Sequence, residues 1–362
     1  MFIGIITGIL IISYIIYIII EKIMINIYRK SFKFVIHVNG IRGKSTTTRL
    51  IDAGLRECGF KVFSKTTGTY PTIINTNNEM IRIKRLGPAN IREQIKMMRK
   101  AYKEKAEVLV LECMAVNPYL QYVCEHQILN SNITLITNVR PDHLGDMGNT
   151  LEELAKALAL TMPKKGTLII NDDDYLDVYK EEAKKYDVKI VVAEKYDGKN
   201  DLETFKDNIA ISLEVARVLN LDTNLFFTGM EKYKHDEGAF SVITKDNTTL
   251  LNALSVNDPE SIKIVYEKET TLVNKDELCI VICTREDRVS RTEQYLSLID
   301  FFDNKKIYIT EYSSYLYFKR KGKNVLHLKE IEDLLNEKYV FATGNIKGTG
   351  DKILKYFKSN GE

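Results

Sequence analysis

The sequence predicts an α/β protein in three parts: an apolar N-terminal helix, a larger domain built on a mostly parallel sheet, and a smaller second α/β domain. Three observations predict it. Residues 1–20, MFIGIITGILIISYIIYIII, carry no charged side chain. Short apolar runs (FVIHV, VLVL, ITLIT, TLIIN, KIVVA) then alternate with segments of helical periodicity, the pattern of a parallel sheet covered on both faces. A polar interval between 232 and 249 precedes a second, shorter alternation. These features divide the chain into 1–20, a membrane-spanning helix; 21–33, a basic juxtamembrane segment; 34–245, a central domain; and 246–362, a C-terminal domain.

The first twenty residues, as a helix, span roughly 30 Å, about the hydrocarbon thickness of a bilayer. Tyr14 and Tyr17 lie near the far end, and Glu21 and Lys22 mark the exit. A cleaved signal peptide fits less well, because no Lys or Arg precedes the apolar run and no A-x-A-like site follows it. Lys22, Arg29, Lys30 and Lys33 all follow the run. The positive-inside rule therefore puts the terminus outside and residues 21–362 in the cytoplasm.

At 362 residues the chain is long enough for two or three domains with real cores. Its 52 basic and 49 acidic side chains balance to +3 and are interspersed, which argues against nucleic acid as a partner. Five cysteines (Cys58, Cys113, Cys124, Cys279, Cys283) form no disulfide or zinc framework. Cys279 and Cys283, in LCIVICT, read as part of a buried strand. A reducing compartment fits the soluble part.

The most informative stretch is 34–58. FVIHV reads as a buried strand, Gly40 and Gly43 as a tight turn, and Lys44, Ser45 and Thr46 open a helix in which Ile51, Leu55 and Cys58 share one face. A helix N-terminus behind a glycine turn offers unpaired N–H groups and a positive dipole end to a phosphate. In that arrangement Lys44 reaches the β- and γ-phosphates and the Ser45 hydroxyl sits on Mg²⁺. The match is to a shortened loop, since Val38 stands where the usual first glycine would be. The competing reading is an ordinary strand–helix turn with a chance GKS.

Further along, 61–64 reads as a strand running into KTTGT (65–69), a hydroxyl-rich loop that is either a ligand edge or plain surface. Residues 89–105 read as a helix and 108–111 as a central strand with Glu112 at its tip, where a Mg²⁺ ligand is expected. Residues 114–122 read as a proline-containing connection, 133–137 as a strand, and Asp142-His143 fall just past its end. Mg²⁺ prefers oxygen ligands, so the chemistry alone leaves His143 open. A helix over 150–160, strands at 167–171 and 189–193, and a helix carrying Ile209, Leu213 and Ala216 complete the domain. Beyond 245, strands at 279–284 and 306–309 and helices at 291–302 and 329–336 are expected.

With these residues in place the chain resembles the Mur-ligase-type amide ligases and, more narrowly, the membrane-anchored catalytic subunits of poly-γ-glutamate synthases of capsule biosynthesis. The stretches that carry the resemblance are VNGIRGKSTTTRLI, KTTGT, LECMAVNP, TNVRPDHLGDMG, LTMPKKG, GMEKY with DEGAF, NALSVNDPES, CTREDRVSRTEQY and TGNIKGTG, in that order over nearly all of the soluble chain. TNVRPDHLGDMGNTLEELA is also similar to a segment of folylpolyglutamate synthases.

The resemblance implies an ATP-dependent ligase that polymerises glutamate through an acyl phosphate, with a P-loop ATPase domain of Mur-ligase type and a Rossmann-like C-terminal domain. It implies ATP contacts from Gly40, Arg42, Gly43, Lys44, Ser45, Thr46, Asn208, Arg285, Asp287 and Arg288. It gives the metal ligands as Ser45, Glu112 and His143, for two Mg²⁺ or Mn²⁺ ions, and the catalytic groups as Lys44, Glu112, His143 and Arg285. Glutamate, the growing polymer and small integral-membrane subunits are the implied partners, at the inner face of the cell membrane. Two departures stand out. The carbamylated lysine of Mur and folate enzymes is Leu158 here, with Lys156 two residues earlier, and the family's DHLD reads DHLG, so Gly145 replaces a carboxylate. The alternatives are a folylpolyglutamate-synthase-like ligase and a membrane-anchored ATPase that forms no covalent product.

Overall fold

The computed structural model describes residues 2–359 apart from 69, 86, 142–144, 199–205, 236–239, 257–258, 272, 287–288 and 303–304. The chain divides into two compact units, Met1–Lys234 and His235–Glu362.

The first unit begins with one unbroken helix, α1 (Phe2–Ser31). Glu21 and Lys22 end the apolar run but not the helix, because both residue types are strong helix formers. The stretch Ile5–Ser31 is long and apolar enough to cross a membrane. The last turns differ from the rest: Ile25 and Tyr28, with Phe32 just beyond, are buried in the core of the unit, against Val35, Phe63, Met98 and Leu109. Each such burial contributes about 1.5–3 kcal/mol before ordering costs. Arg29 adds two hydrogen bonds, Nε to the Asn130 carbonyl and Nη2 to Asn132 Oδ1, both 2.7 Å.

Eight strands follow: β1 (Phe34–Asn39), β2 (Val62–Thr66), β3 (Thr72–Ile74), β4 (Met80–Arg82), β5 (Val108–Glu112), β6 (Ile133–Ile136), β7 (Lys165–Ile170) and β8 (Asp187–Val192). Between and after them come α2 (Lys44–Glu57), α3 (Arg92–Lys103), α4 (Pro118–Val123), α5 (Leu151–Ala159), α6 (Leu176–Ala183), α7 (Lys206–Val218) and α8 (Thr223–Glu231). The strands form one sheet in the order β4-β3-β2-β5-β1-β6-β7-β8, parallel except for the antiparallel edge made by β3 and β4. Central parallel strands are covered on both faces, which is why β1, β5 and β6 read as near-continuous apolar runs. Leu50, Ile51 and Leu55 of α2 pack with residues of α7 and α8 on one face. On the other, α1 and α3 cover β2, β5 and β1, and α5 and α6 cover the β7 side.

The chain leaves β1 toward β2 on one side and reaches β6 on the other, so the strand order reverses at β1. Ligands of open α/β sheets bind at that crevice, beyond the carboxyl ends of the strands.

The connection expected over 114–122 is in part a helix. Asn117 caps α4, its side chain accepting from Leu120 N at 3.2 Å, and Pro118 occupies the first helical position. A π-helical segment, Cys124–Leu129, continues it and brings Glu125 to His37 in the middle of β1. His37 Nδ1 and Glu125 Oε2 are 2.9 Å apart and both side chains are buried. The other Glu125 oxygen accepts from Ser131 N at 2.8 Å and Ser131 Oγ at 2.9 Å. Burial works against charge on the ring, but the neighbouring Cys113 and Cys124 side chains and the Glu125 carboxylate outweigh it and raise the His37 pKa well above 6.5.

The second unit holds a six-stranded sheet made from β9 (Ser241–Lys245), β10 (Thr248–Ala253), β11 (Leu278–Cys283), β12 (Lys306–Ile309), β13 (Leu326–His327) and β14 (Tyr339–Gly344), in the order β13-β12-β11-β14-β10-β9. All neighbours are parallel except β9 and β10, a hairpin that turns at Asp246 with φ 52°. Its helices include α9 (Pro259–Glu269), α10 (Val289–Gln294), α11 (Leu296–Phe301), α12 (Tyr312–Arg320) and α13 (Asp351–Lys358). The helix expected over 291–302 is two helices that meet at Tyr295, and 329–336 contains a 3₁₀ helix, Ile331–Asn336. Cys279 and Cys283 are buried in β11, and none of the five cysteines is in a disulfide.

Candidate active site

The site is assembled where β1 ends. Gly40 has φ 123° and Gly43 has φ 80°, left-handed conformations that L side chains rarely adopt. Space forbids a side chain as well: a Cβ on Gly40 would overlap Thr137 Oγ1, and one on Gly43 would overlap the Asn208 carboxamide. The loop is stitched to the end of β6. Ile41 N donates to the Asn138 carbonyl (3.2 Å), Arg42 N to Asn138 Oδ1 (3.0 Å), and Thr137 Oγ1 to the Arg42 carbonyl (2.6 Å). Arg42 is thus fixed by its backbone.

Gly43 is the N-cap of α2, and the first intrahelical bond runs from Thr47 N to the Gly43 carbonyl, 2.9 Å. The N–H groups of the first turn, at Lys44, Ser45 and Thr46, therefore face the loop mouth, the donor arrangement that anions prefer. Lys44 Nζ lies over the loop, 2.7 Å from the Gly40 carbonyl and 3.1 Å from that of Ile41.

Across the mouth stands Glu112, at the end of β5. Ser45 Oγ donates to its Oε2 at 2.8 Å. Thr67 N donates to the same oxygen at 2.6 Å, and the Thr67 hydroxyl donates to Oε1. Gln94 Nε2 holds the Glu112 backbone carbonyl at 3.0 Å. Behind this lies a chain of charges that ends on the buried Lys65: Lys65 Nζ is 2.9 Å from Glu93 Oε1, and Arg85 Nε is 2.7 Å from Glu93 Oε2. Burial pulls the Lys65 pKa down against the pull of Glu93. Burial would raise that of Glu93, but Arg85 and Lys65 prevail and hold it at about 2.

The first unit thus brings together Gly40, Arg42, Gly43, Lys44, Ser45, Thr46, Glu112 and Asn208. Arg285 is half-buried in the other unit, just past β11. His143, Asp287 and Arg288 lie outside the described residues. Lys156 is on the exposed face of α5, its ammonium 2.7 Å from Glu152, and Leu158 is buried in the core.

Residues 38–225 match the Mur ligase middle domain, and residues 239–360 match the poly-gamma-glutamate synthase CapB C-terminal domain. The chain belongs to the Mur-ligase family. Members of this family are ATP-dependent ligases that form C–N bonds, and the chain is such an enzyme. It is 30% identical over 351 residues to PGA synthase CapB of Bacillus subtilis (strain 168), covering 88% of this chain and 89% of that one. It is 36% identical over 274 residues to capsule biosynthesis protein CapB of Bacillus anthracis, covering 72% of this chain and 59% of that relative. Among solved structures, a bifunctional folylpolyglutamate synthase/dihydrofolate synthase with Mn, AMPPNP and L-glutamate bound superposes with a TM-score of 0.66 at 12% identity, covering 93% of each chain. That likeness is one of fold.

The folylpolyglutamate synthase structure holds Mn and AMPPNP, and the local chemistry of this loop fits a nucleotide phosphate and a divalent ion. The loop leaves room for backbone and nothing else, and Ser45 and Glu112 present hard oxygen donors side by side. A single carboxylate and a hydroxyl suit Mg²⁺, which keeps waters and takes its remaining ligands from phosphate. No cluster of three His, Cys, Asp or Glu exists among the described residues, so an all-protein cage is not on offer there. Gln94 and Asn138 were not singled out by sequence as site residues, and Thr67 was read only as part of KTTGT, a possible ligand edge. Their signal was position alone, since Thr67 and Asn138 follow the carboxyl ends of parallel strands.

Proposed function

We propose that this chain joins glutamate into poly-γ-glutamate by ATP-dependent isopeptide bonds, through an acyl phosphate, at the inner face of the cell membrane. The observation that carries this reading is the Ser45–Glu112 pair at a glycine-built phosphate cradle, in a chain whose relatives are PGA synthase CapB and capsule biosynthesis protein CapB. A folate ligase is disfavoured, because the folate enzymes share the fold at only 11–14% identity while the capsule relatives share 30–36%.

In this reading the loop N–H groups and Lys44 hold the ATP phosphates, with Ser45 and Glu112 as ligands of one ion and His143 of a second. A bound Mg²⁺ neutralises phosphate charge and polarises the γ-phosphoryl group. A carboxylate oxygen of the glutamyl acceptor attacks the γ-phosphorus, and the bond to the β–γ bridging oxygen breaks to release ADP. The amine of the incoming glutamate then attacks the acyl carbon. Its proton is lost, inorganic phosphate departs, and the amide remains. A cationic group such as Lys44 or Arg285 stabilises the oxyanion and the leaving phosphate. Asp287 and Arg288 complete the ATP contacts, and small membrane subunits assist export.

The test is phosphate release from ATP with and without glutamate. Lys44→Ala should lower the glutamate-stimulated rate by about 10²–10³-fold. Unchanged turnover would contradict the phosphate-loop assignment.

A further inference from the structure

We propose that the carboxyl edge of the larger sheet, carrying the phosphate loop and Glu112, faces the membrane, and that the start of α3 rests on anionic lipid headgroups. The proposal rests on the reading of α1 as a membrane span, and adds to it a direction and a height for the site.

The direction follows from two helix contacts. Arg92, the first residue of α3, donates from Nη2 to Tyr17 Oη (2.7 Å) and pairs with Glu21, both on α1. Tyr102, near the other end of α3, has its ring 5.2 Å from that of Tyr28. So α3 runs parallel to α1, with its N-terminus toward the apolar run. α3 also runs antiparallel to β5: Gln94 in its first turn holds the carbonyl of Glu112 at the end of β5, and the chain past Lys103 leads into the start of that strand. β1 is parallel to β5, with Val38 level with Glu112. The strands β1 and β5 therefore run antiparallel to α1, and their carboxyl ends point toward its apolar N-terminal part.

The height follows from the rise of a helix. Counting back from the Tyr28–Tyr102 pair at about 1.5 Å per residue puts Arg92 level with about residue 18 of α1 and Gln94 level with about residue 20. Ile20 is the last residue of the uncharged run. Tyr14 and Tyr17 are placed as interfacial tyrosines would be. The edge that carries Glu112 is thus at the height of the headgroups.

The flank of that edge beside α1 is basic. Among the described residues, every exposed charged side chain from 82 to 98 is basic: Arg82, Lys84, Arg92 and Lys96. Glu93, the acid in this stretch, is held by Arg85 and Lys65. Residues 87–90, Gly-Pro-Ala-Asn, are exposed and uncharged, and lead into Arg92 at the start of α3. A basic surface beside a span is attracted to anionic lipid phosphates. A polymer made at this edge is extended against the bilayer, not away from it.

The chain contains no tryptophan, so single tryptophans report depth cleanly. The full chain, reconstituted in phosphatidylglycerol-rich vesicles, is prepared as Ala89→Trp, Lys103→Trp and Ile12→Trp. A headgroup-spin-labelled lipid should quench the Ala89→Trp protein several-fold more than the Lys103→Trp protein, because Lys103 is about 16 Å further from the membrane along α3. Equal or reversed quenching would overturn the orientation. A mid-acyl spin label should quench the Ile12→Trp protein. Its failure would remove the membrane span itself, whereas a quenched Ile12→Trp beside an unquenched Ala89→Trp would overturn only the orientation. Adding Lys84→Glu and Lys96→Glu to Ala89→Trp should reduce its quenching on anionic vesicles, and undiminished quenching would overturn the lipid contact.

Discussion

Ser45 Oγ and the Glu112 carboxylate meet at 2.8 Å although 67 positions separate them in the chain. The two ends of this pair come from different strand–loop units, β1 with its glycine turn and β5. They are aligned because β1 and β5 are parallel neighbours in register.

Thr67 sets the orientation of that carboxylate from the third side, with its N–H and its hydroxyl on the two Glu112 oxygens. Thr67→Val keeps the shape and the backbone bond and deletes the hydroxyl. It should weaken divalent-ion affinity by about 10- to 100-fold. Titrating ATP turnover and Mn²⁺ binding against metal concentration checks this, and a superimposable titration would show that Thr67 does not position Glu112.

Gly43 has a positive φ, and a Cβ there would overlap the Asn208 carboxamide. Gly43→Ala should cost about 1–2 kcal/mol from the left-handed backbone alone, with further loss from the overlap. Adding Asn208→Ala should recover the overlap but not the backbone strain. Thermal unfolding and nucleotide affinity measured on both variants separate the two. A single variant as stable as the parent would contradict the geometry of the loop.

His37 gives the fold a pH dependence. Its folded pKa is raised well above 6.5, so the folded chain holds this proton more tightly than the unfolded one. The associated stability is fully present below about 6.5 and is lost as pH rises through the folded value. Melting temperature should therefore fall across the alkaline side of 6.5 more steeply in the parent than in His37→Gln. Parallel curves would mean that the ring is neutral in the folded state.

The phosphate loop, the strand ending in Glu112 and the parallel sheet were legible in the sequence because each is local. Apolar runs mark buried strands, and NGIRGKSTTT places glycines, lysine and hydroxyls at fixed offsets. The His37–Glu125 pair was not legible, since its partners are 88 positions apart and nothing in FVIHV marks a buried imidazole. The helix after Pro118 was legible in principle, as Asn-Pro is an N-cap followed by a first-turn proline. The polar stretch around 245–249 read as a boundary because a hairpin turn and a linker share a composition. Here β9 and β10 pair across it. Glu21 and Lys22 stopped the apolar run without stopping α1, because membrane crossing and helix formation are set by different properties of the side chain.

The central claim is a covalent one, that ATP is spent on amide bonds between glutamates. Mass spectrometry of the product formed by the full chain in membranes with ATP, Mg²⁺ and isotopically labelled glutamate tests it most directly. The expected product is a ladder of γ-linked glutamate oligomers, with one ADP and one phosphate released per bond, and no ladder from Lys44→Ala. ATP hydrolysis with no labelled oligomer would contradict it.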